Sequence, residues 1–489
     1  MNTPLRRVAM SVMVMVLLLL ANATYVQVFK ADEYRKDQRN QRVLLEEYSR
    51  QRGKILAGGQ AVADIKETND RLKFLRTYPA GEMYAPITGY FSPSYGAVGM
   101  EFAQDSVLNG SDDRLFVRRL SDLITGRDPR GGNVELTVDP KVQQAAYDGL
   151  HKKGFTGAVV AMDPKTGAVL GMASTPSYDP SRLAVHDSDE QMKAWKQLTG
   201  DGTRPMRNRA LKETYPPGST FKLVVTAAAL QNGFNKDSQV TAAPDITLPG
   251  TQTTLENYNH TNCGGGATAS LETALALSCN TGFAELAGQV GEQKLRQQAE
   301  RLGIGTGEQQ IPLGVEASSL GDIPDKAALY QTGLGQRDVK MTPLQNAVLA
   351  ATIANGGSRM QPYLVKSITS ADLHELDTTK PKKVEQAMPG SVASTVRDMM
   401  IKSEQKTGGE GQISGVTIAS KTGTAEHGSD PRNTNPHAWY VAFAPAENPK
   451  IAVAVIVEDG GDRGLGATGG KVAAPIGRAV IRAALQGGG

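Results

Sequence analysis

The stretch that most constrains this chain is Tyr215-Pro216-Pro217-Gly218-Ser219-Thr220-Phe221-Lys222, which runs into Leu223-Val224-Val225-Thr226-Ala227-Ala228-Ala229-Leu230. Two prolines and a small residue ahead of an Ala/Leu-rich run predict the entry to a buried helix that ends near Gly233. Ser219 falls in the first turn. Residues three apart share a helix face, so the Lys222 amine can reach the Ser219 hydroxyl. A serine hydroxyl is a weak nucleophile until a neighbouring base takes its proton, and a lysine is that base only when neutral. A free lysine titrates near 10.4, so a neutral fraction at pH 7 needs a fall of roughly 3 units, about 4 kcal/mol. Burial and a second nearby cation both act in that direction. The bland alternative for Ser219 is a helix cap, which the accompanying motifs make the minor reading.

Ser-x-x-Lys alone says little, because Ser403-Glu404-Gln405-Lys406 repeats it and is followed by Thr407-Gly408-Gly409-Glu410-Gly411, a solvated helix end. The first copy differs in its company downstream, Ser278-Cys279-Asn280 and Lys421-Thr422-Gly423-Thr424. Lys-Thr-Gly also occurs at 165–167, where Asp163-Pro164 and Gly167 predict a hairpin turn, and at 406–408 in the loop just described. Only the copy at 421 has strand-like flanks: Gly415-Val416-Thr417-Ile418-Ala419-Ser420 before it, and residues 437–445 and 451–457 after it. These runs predict adjacent antiparallel strands. Lys421, Thr422 and Thr424 then lie along an edge suited to receive a carboxylate through charge-assisted hydrogen bonds.

The 489 residues leave room for about three domains. A net charge of +3 argues against a dedicated nucleic-acid binder. Six scattered histidines and two cysteines give no cluster at zinc-ligand spacing, so neither a metal nor another cofactor is expected. Arg6 and Arg7 precede an apolar segment over residues 8–29, which as a helix would span about 33 Å, enough for a bilayer. A cleaved signal peptide is the rival reading, since Ala21-Asn22-Ala23 resembles a small-x-small cleavage site. Residues 30–50 read as a charged, helix-prone stalk, and 52–132 as a small accessory domain of strands and short helices. A strand over 134–139 leads through Asp139-Pro140 into a helix carrying Val142, Ala145, Ala146 and Leu150. Residues 157–162 and 168–172 read as paired strands, and 472–485 as an amphipathic helix on the sheet.

With Ser-x-x-Lys, Ser-x-Asn and Lys-Thr-Gly in that order, the chain resembles the class B penicillin-binding proteins over nearly its whole length. Arg52-Gly53, Leu136-Thr137-Val138-Asp139, the run 167–174, Asn208-Arg209-Ala210 and Thr342-Pro343-Leu344-Gln345 add to the likeness. The short N-terminal module and the absence of C-terminal repeats and glycosyltransferase motifs are most similar to the actinobacterial penicillin-binding protein A type. The resemblance implies an α/β (α+β) architecture. A serine β-lactamase-like transpeptidase domain, with an antiparallel sheet and a helical subdomain, would cover 153–489. An N-terminal accessory domain would cover 30–152. A cytoplasmic tip and an uncleaved transmembrane anchor would cover 1–29, giving a single-pass protein of the cell membrane with its catalytic domain outside.

The same resemblance implies a peptidoglycan D,D-transpeptidase. Ser219 would attack the penultimate D-alanine carbonyl of a stem peptide, D-alanine would leave, and an amine of a neighbouring stem would take the acyl group. Lys222 would be the general base, Ser278 a proton relay, and Asn280 a clamp on the substrate backbone or on Lys222. Lys421 would supply positive field, and the Thr422 and Thr424 hydroxyls, with Gly423 between them, would bind the terminal carboxylate. Backbone N–H groups of Ser219 and Thr424 would form the oxyanion hole. Implied partners are stem peptides, β-lactams that acylate Ser219, the cytoplasmic membrane, a membrane glycosyltransferase of the SEDS type and other cell-wall proteins. A D,D-carboxypeptidase, a β-lactam-binding sensor and an idle scaffold share these motifs and stay open. Cys263 and Cys279, 16 positions apart in an exported chain, fit either a disulfide bracing the Ser-x-Asn loop or two free thiols. His437 and Trp439 read as strand packing, and Glu426 and His427 as exposed loop residues.

Overall fold

The computed structural model describes residues 3–30, 45, 48–116, 124–125, 130–307, 311–428, 430 and 433–487. The stalk expected over 30–50 falls largely outside them. Thr3–Thr24 is an α-helix continued by a π-helical turn over Tyr25–Phe29, with no residue buried. These 27 residues are long and apolar enough to cross a bilayer.

Two larger sheets organise the rest. In the first, Ile55–Ala57 runs parallel to Asn133–Leu136 and antiparallel to Gln60–Glu67, which pairs with Phe74–Thr77. Its other edge comes from far downstream, where Val365–Thr369 pairs with Asn133–Leu136 and Glu375–Thr378 pairs with Val365–Thr369. Beside this sheet the fully buried Glu101 carboxylate is held by two arginines, Arg52 Nε at 2.8 Å and Arg76 Nε at 2.6 Å, and by the Tyr78 hydroxyl at 3.1 Å. A buried carboxylate survives only with such partners.

The second sheet is antiparallel throughout, in the order Ala419–Ala425, His437–Ala444, Ile451–Val457, Gly157–Met162, Val169–Thr175. Helices cover both faces, which is why His437–Ala444 and Ile451–Val457 are buried throughout and read as nearly continuous apolar runs. Pro140–His151 and Gly469–Gly487 pack on one face, and Pro343–Ala354 on the other. Asp139 starts the first of these helices by accepting from the N–H groups of Lys141 and Val142. The Lys-Thr-Gly at 165–167 is the expected hairpin turn, closed by Asp163 N–H donating to the Ala168 carbonyl at 2.8 Å.

One boundary differs from expectation. The strand run anticipated from Gly415 begins only at Ala419, because Gly415 turns at φ +74 and residues 415–418 approach it as a loop. Lys421-Thr422-Gly423-Thr424 lies within this edge strand, along the edge as expected. Lys222–Leu230 runs through the middle of the helical region, buried on every side except at Leu230, as expected of a helix that is apolar all round. Asn280–Val290, Glu292–Arg301 and Gly390–Lys406 surround it.

Candidate active site

The nucleophile turn is tighter than an α-helix. Gly218–Phe221 forms a 3-10 turn that passes directly into Lys222–Leu230, and in that geometry side chains three apart eclipse, stacking Ser219 over Lys222. The turn is wedged between two backbones. Gly218 sits at φ +53, where an added Cβ would lie 2.9 Å from the Thr424 carbonyl oxygen, and its N–H donates to the Gly335 carbonyl at 2.9 Å. Trp439 Nε1 donates to the Pro216 carbonyl at 2.9 Å, tying the turn to the sheet. Gly423 allows this approach, since a Cβ there would lie 3.0 Å from the Pro217 carbonyl oxygen. Ser219 itself is partly exposed.

Lys222 is fully buried, and its amine donates to the Ser278 carbonyl at 2.8 Å, to Asn280 Oδ1 at 2.8 Å and to Ser278 Oγ at 3.4 Å. Among the described residues, the Ser219 hydroxyl is not one of its hydrogen-bond partners; catalytic hydrogen bonds are often long before substrate arrives. Lys421, 1 % exposed, donates to the same Ser278 Oγ at 3.0 Å and to the Thr422 carbonyl at 2.9 Å. Burial, and then the neighbouring Lys421 charge, hold the Lys222 amine well below the ordinary lysine range. Burial alone pushes Lys421 down to about 7.

Ser278 ends the Leu271–Leu277 helix in the left-handed region, at φ 62, and Asn280 opens the next helix. A non-glycine residue there is strained and needs its surroundings to hold it. The Cys263–Cys279 disulfide does so from one side, with Cα atoms 5.7 Å apart. From the other, Asn257 Oδ1 accepts from the N–H groups of Asn280 at 2.7 Å and Thr281 at 3.1 Å. Asn280 Nδ2 donates in turn to the Glu256 carbonyl at 3.0 Å. On the edge strand the pleat alternates, with Lys421, Gly423 and Ala425 buried and Thr422 and Thr424 partly exposed. The eight motif residues thus come together, with the disulfide bracing the Ser278 loop.

Sequence reasoning missed Asn257, whose partners lie 23 and 24 residues away, and Gly335, with no local signal for either. Trp439 is packing, as expected. His427 is more enclosed than a plain loop residue, stacking on His437 with ring centroids 3.7 Å apart and lying 3.1 Å from Asp459 Oδ1. His427, His437 and Asp459 gather potential ligand atoms within 4.8 Å, which linear spacing conceals. However, the imidazole planes are only 10° from parallel, so their lone pairs run side by side instead of meeting at one ion. A groove of about 760 Å³ opens next to Asn280, lined also by Tyr215, Glu256, Arg337 and His427.

Comparison with known proteins agrees with this geometry. Residues 157–482 match the penicillin-binding protein transpeptidase domain, and residues 52–134 match the penicillin-binding protein A dimerisation domain. The chain is 56% identical to the peptidoglycan D,D-transpeptidase PbpA of Mycolicibacterium smegmatis, over 99% of each chain. It is 53% identical to the protein of that name from Mycobacterium tuberculosis, over 100% of each. A ceftriaxone acyl-enzyme complex of penicillin-binding protein A from M. tuberculosis is 52% identical and superposes with a TM-score of 0.89, covering 90% of this chain and 100% of that one. With the transpeptidase match spanning more than half its length and such relatives along all of it, the chain belongs to the penicillin-binding protein transpeptidases, in the class B, penicillin-binding protein A group.

Proposed function

We propose that the protein is a serine-type peptidoglycan D,D-transpeptidase, held in the cell membrane by its N-terminal helix in a single pass, with the domain over residues 153–489 outside the cell. The observation that carries this reading is the convergence of two buried lysine amines on one serine hydroxyl, Lys222 at 3.4 Å and Lys421 at 3.0 Å from Ser278 Oγ. Neutral Lys222 takes the proton of Ser219 as its oxygen attacks the penultimate D-alanine carbonyl. That proton passes through Ser278 Oγ to the nitrogen of the departing D-alanine. The incoming amine of a second stem returns a proton by the same route when it displaces Ser219. Asn280 holds Lys222 in place. Lys421, as a cation, and the Thr422 and Thr424 hydroxyls receive the terminal carboxylate. The N–H groups of Ser219 and Thr424 face the developing oxyanion, where one such donor is typically worth about 3 kcal/mol. Residues 30–152 are its accessory domain, and by its likeness to the family the protein works with a SEDS-type glycosyltransferase and other cell-wall proteins.

Labelling with fluorescent penicillin tests the reading. The full-length protein takes up one label per chain and keeps it for hours, while Ser219→Ala takes up none. Rapid loss of the label identifies a hydrolase instead, and labelling of Ser219→Ala removes Ser219 as the nucleophile.

A further inference from the structure

One wall of the groove has no part in the reaction as described. Residues 335–341 run beside the nucleophile turn and are pinned to it at both ends. Gly335 accepts from the Gly218 N–H at 2.9 Å, and Tyr215 and Met341 exchange backbone hydrogen bonds at 3.0 and 2.9 Å. Between these anchors Arg337 sits at φ 62, in the region glycine occupies most easily. A long charged side chain at such a position calls for a functional explanation. Its guanidinium is steadied on one side, where Nη1 donates to the Asp322 carbonyl at 3.0 Å and Nε lies 3.5 Å from Asp338 Oδ2. Among the described residues no partner is found for Nη2. The side chain remains 33% exposed and lines the same groove as Asn280, whose other charged lining residues are Lys340, Glu256 and Glu426. A planar guanidinium anchored by part of its fork is suited to a carboxylate.

We propose that Arg337 is a specificity-determining residue that takes a second carboxylate of the stem peptide, on the side chain of the residue just before D-alanyl-D-alanine. Asn280 and Arg337 line one groove, and in this proposal the acyl side of the peptide continues from Ser219 into it. The inference rests on the D,D-transpeptidase reading above. The terminal carboxylate is already assigned to the Lys421 strand, so the two anionic ends of the peptide are held on opposite sides of the scissile bond.

Two synthetic donor peptides ending in D-alanyl-D-alanine test it, identical except that this side-chain carboxylate is free in one and amidated in the other. D-Alanine release by full-length protein in detergent gives kcat/KM for each. Wild type prefers the free carboxylate by about 10-fold, the scale of one charge-assisted hydrogen bond. Arg337→Gly, which suits the left-handed backbone, brings the ratio to near 1, and Arg337→Lys keeps an intermediate preference. Stoichiometric penicillin labelling reports that each variant is folded. No preference in wild type, or the same ratio in Arg337→Gly, overturns the inference and leaves the transpeptidase reading standing. A wild type that releases D-alanine from neither peptide overturns both.

Discussion

Burying two lysines beside one hydroxyl lowers both amines, and the direction of each shift sets a pH dependence. Below its lowered pKa Lys222 is protonated and cannot accept the Ser219 proton, so acylation falls as pH drops through that value. Lys421 serves as a cation and loses its charge above about 7, so the rate falls again on the alkaline side. Stopped-flow acylation by benzylpenicillin should give a bell whose alkaline limb alone moves upward in Lys421→Arg, where the charge is permanent. A limb that stays put contradicts the role given to Lys421. The same shift bears on stability. Between the folded pKa near 7 and the unfolded value near 10.5 the unfolded chain binds more protons, so this group's destabilising effect is full below 7 and fades as pH rises. Lys421→Met should therefore raise the thermal midpoint at pH 7, and calorimetry should find the gain shrinking toward pH 10. Ser219, Lys222, Ser278, Asn280 and Lys421 were legible because each sits in a short motif. Asn257 was not, because its role exists only once the chain has folded back on Asn280.

At the scale of elements, the edge strand and the Ser278 junction position the chemistry. Strand content was legible from runs such as Ile451-Ala452-Val453-Ala454-Val455-Ile456-Val457, while the start at Ala419 was not, since Val416 and Ile418 have strand-forming side chains on a backbone that Gly415 turns away. The disulfide was undecided in the sequence, where 16-residue spacing fits paired and free thiols alike. It closes a loop whose cross-linking is worth about 3 kcal/mol by chain entropy. Replacing both Cys263 and Cys279 with alanine should lower unfolding stability by that order in urea titration. It should also slow acylation, because Ser278 and Asn280, both partners of the Lys222 amine, flank Cys279. Unchanged acylation would show that Asn257 alone holds the junction.

At the scale of the whole molecule, the N-terminal sheet takes two strands from far downstream, and these strands at 365–378 carried no signal of that destination, because pairing across more than 200 residues leaves no local pattern. Buried Glu101 anchors the same region. Glu101→Ala strands two arginine charges and should cost about 3–5 kcal/mol, read from the denaturant midpoint. The fold as a whole brings together groups 56 and 143 residues apart, and the burial that results lowers the Lys222 amine well below the ordinary lysine range beside a serine. NMR titration of lysine labelled at Nζ in the full-length protein, with the Lys222 signal identified by its loss in Lys222→Met, tests this most directly. The account predicts a Lys222 amine that titrates well below the ordinary lysine range; an amine that titrates near 10.5 contradicts it.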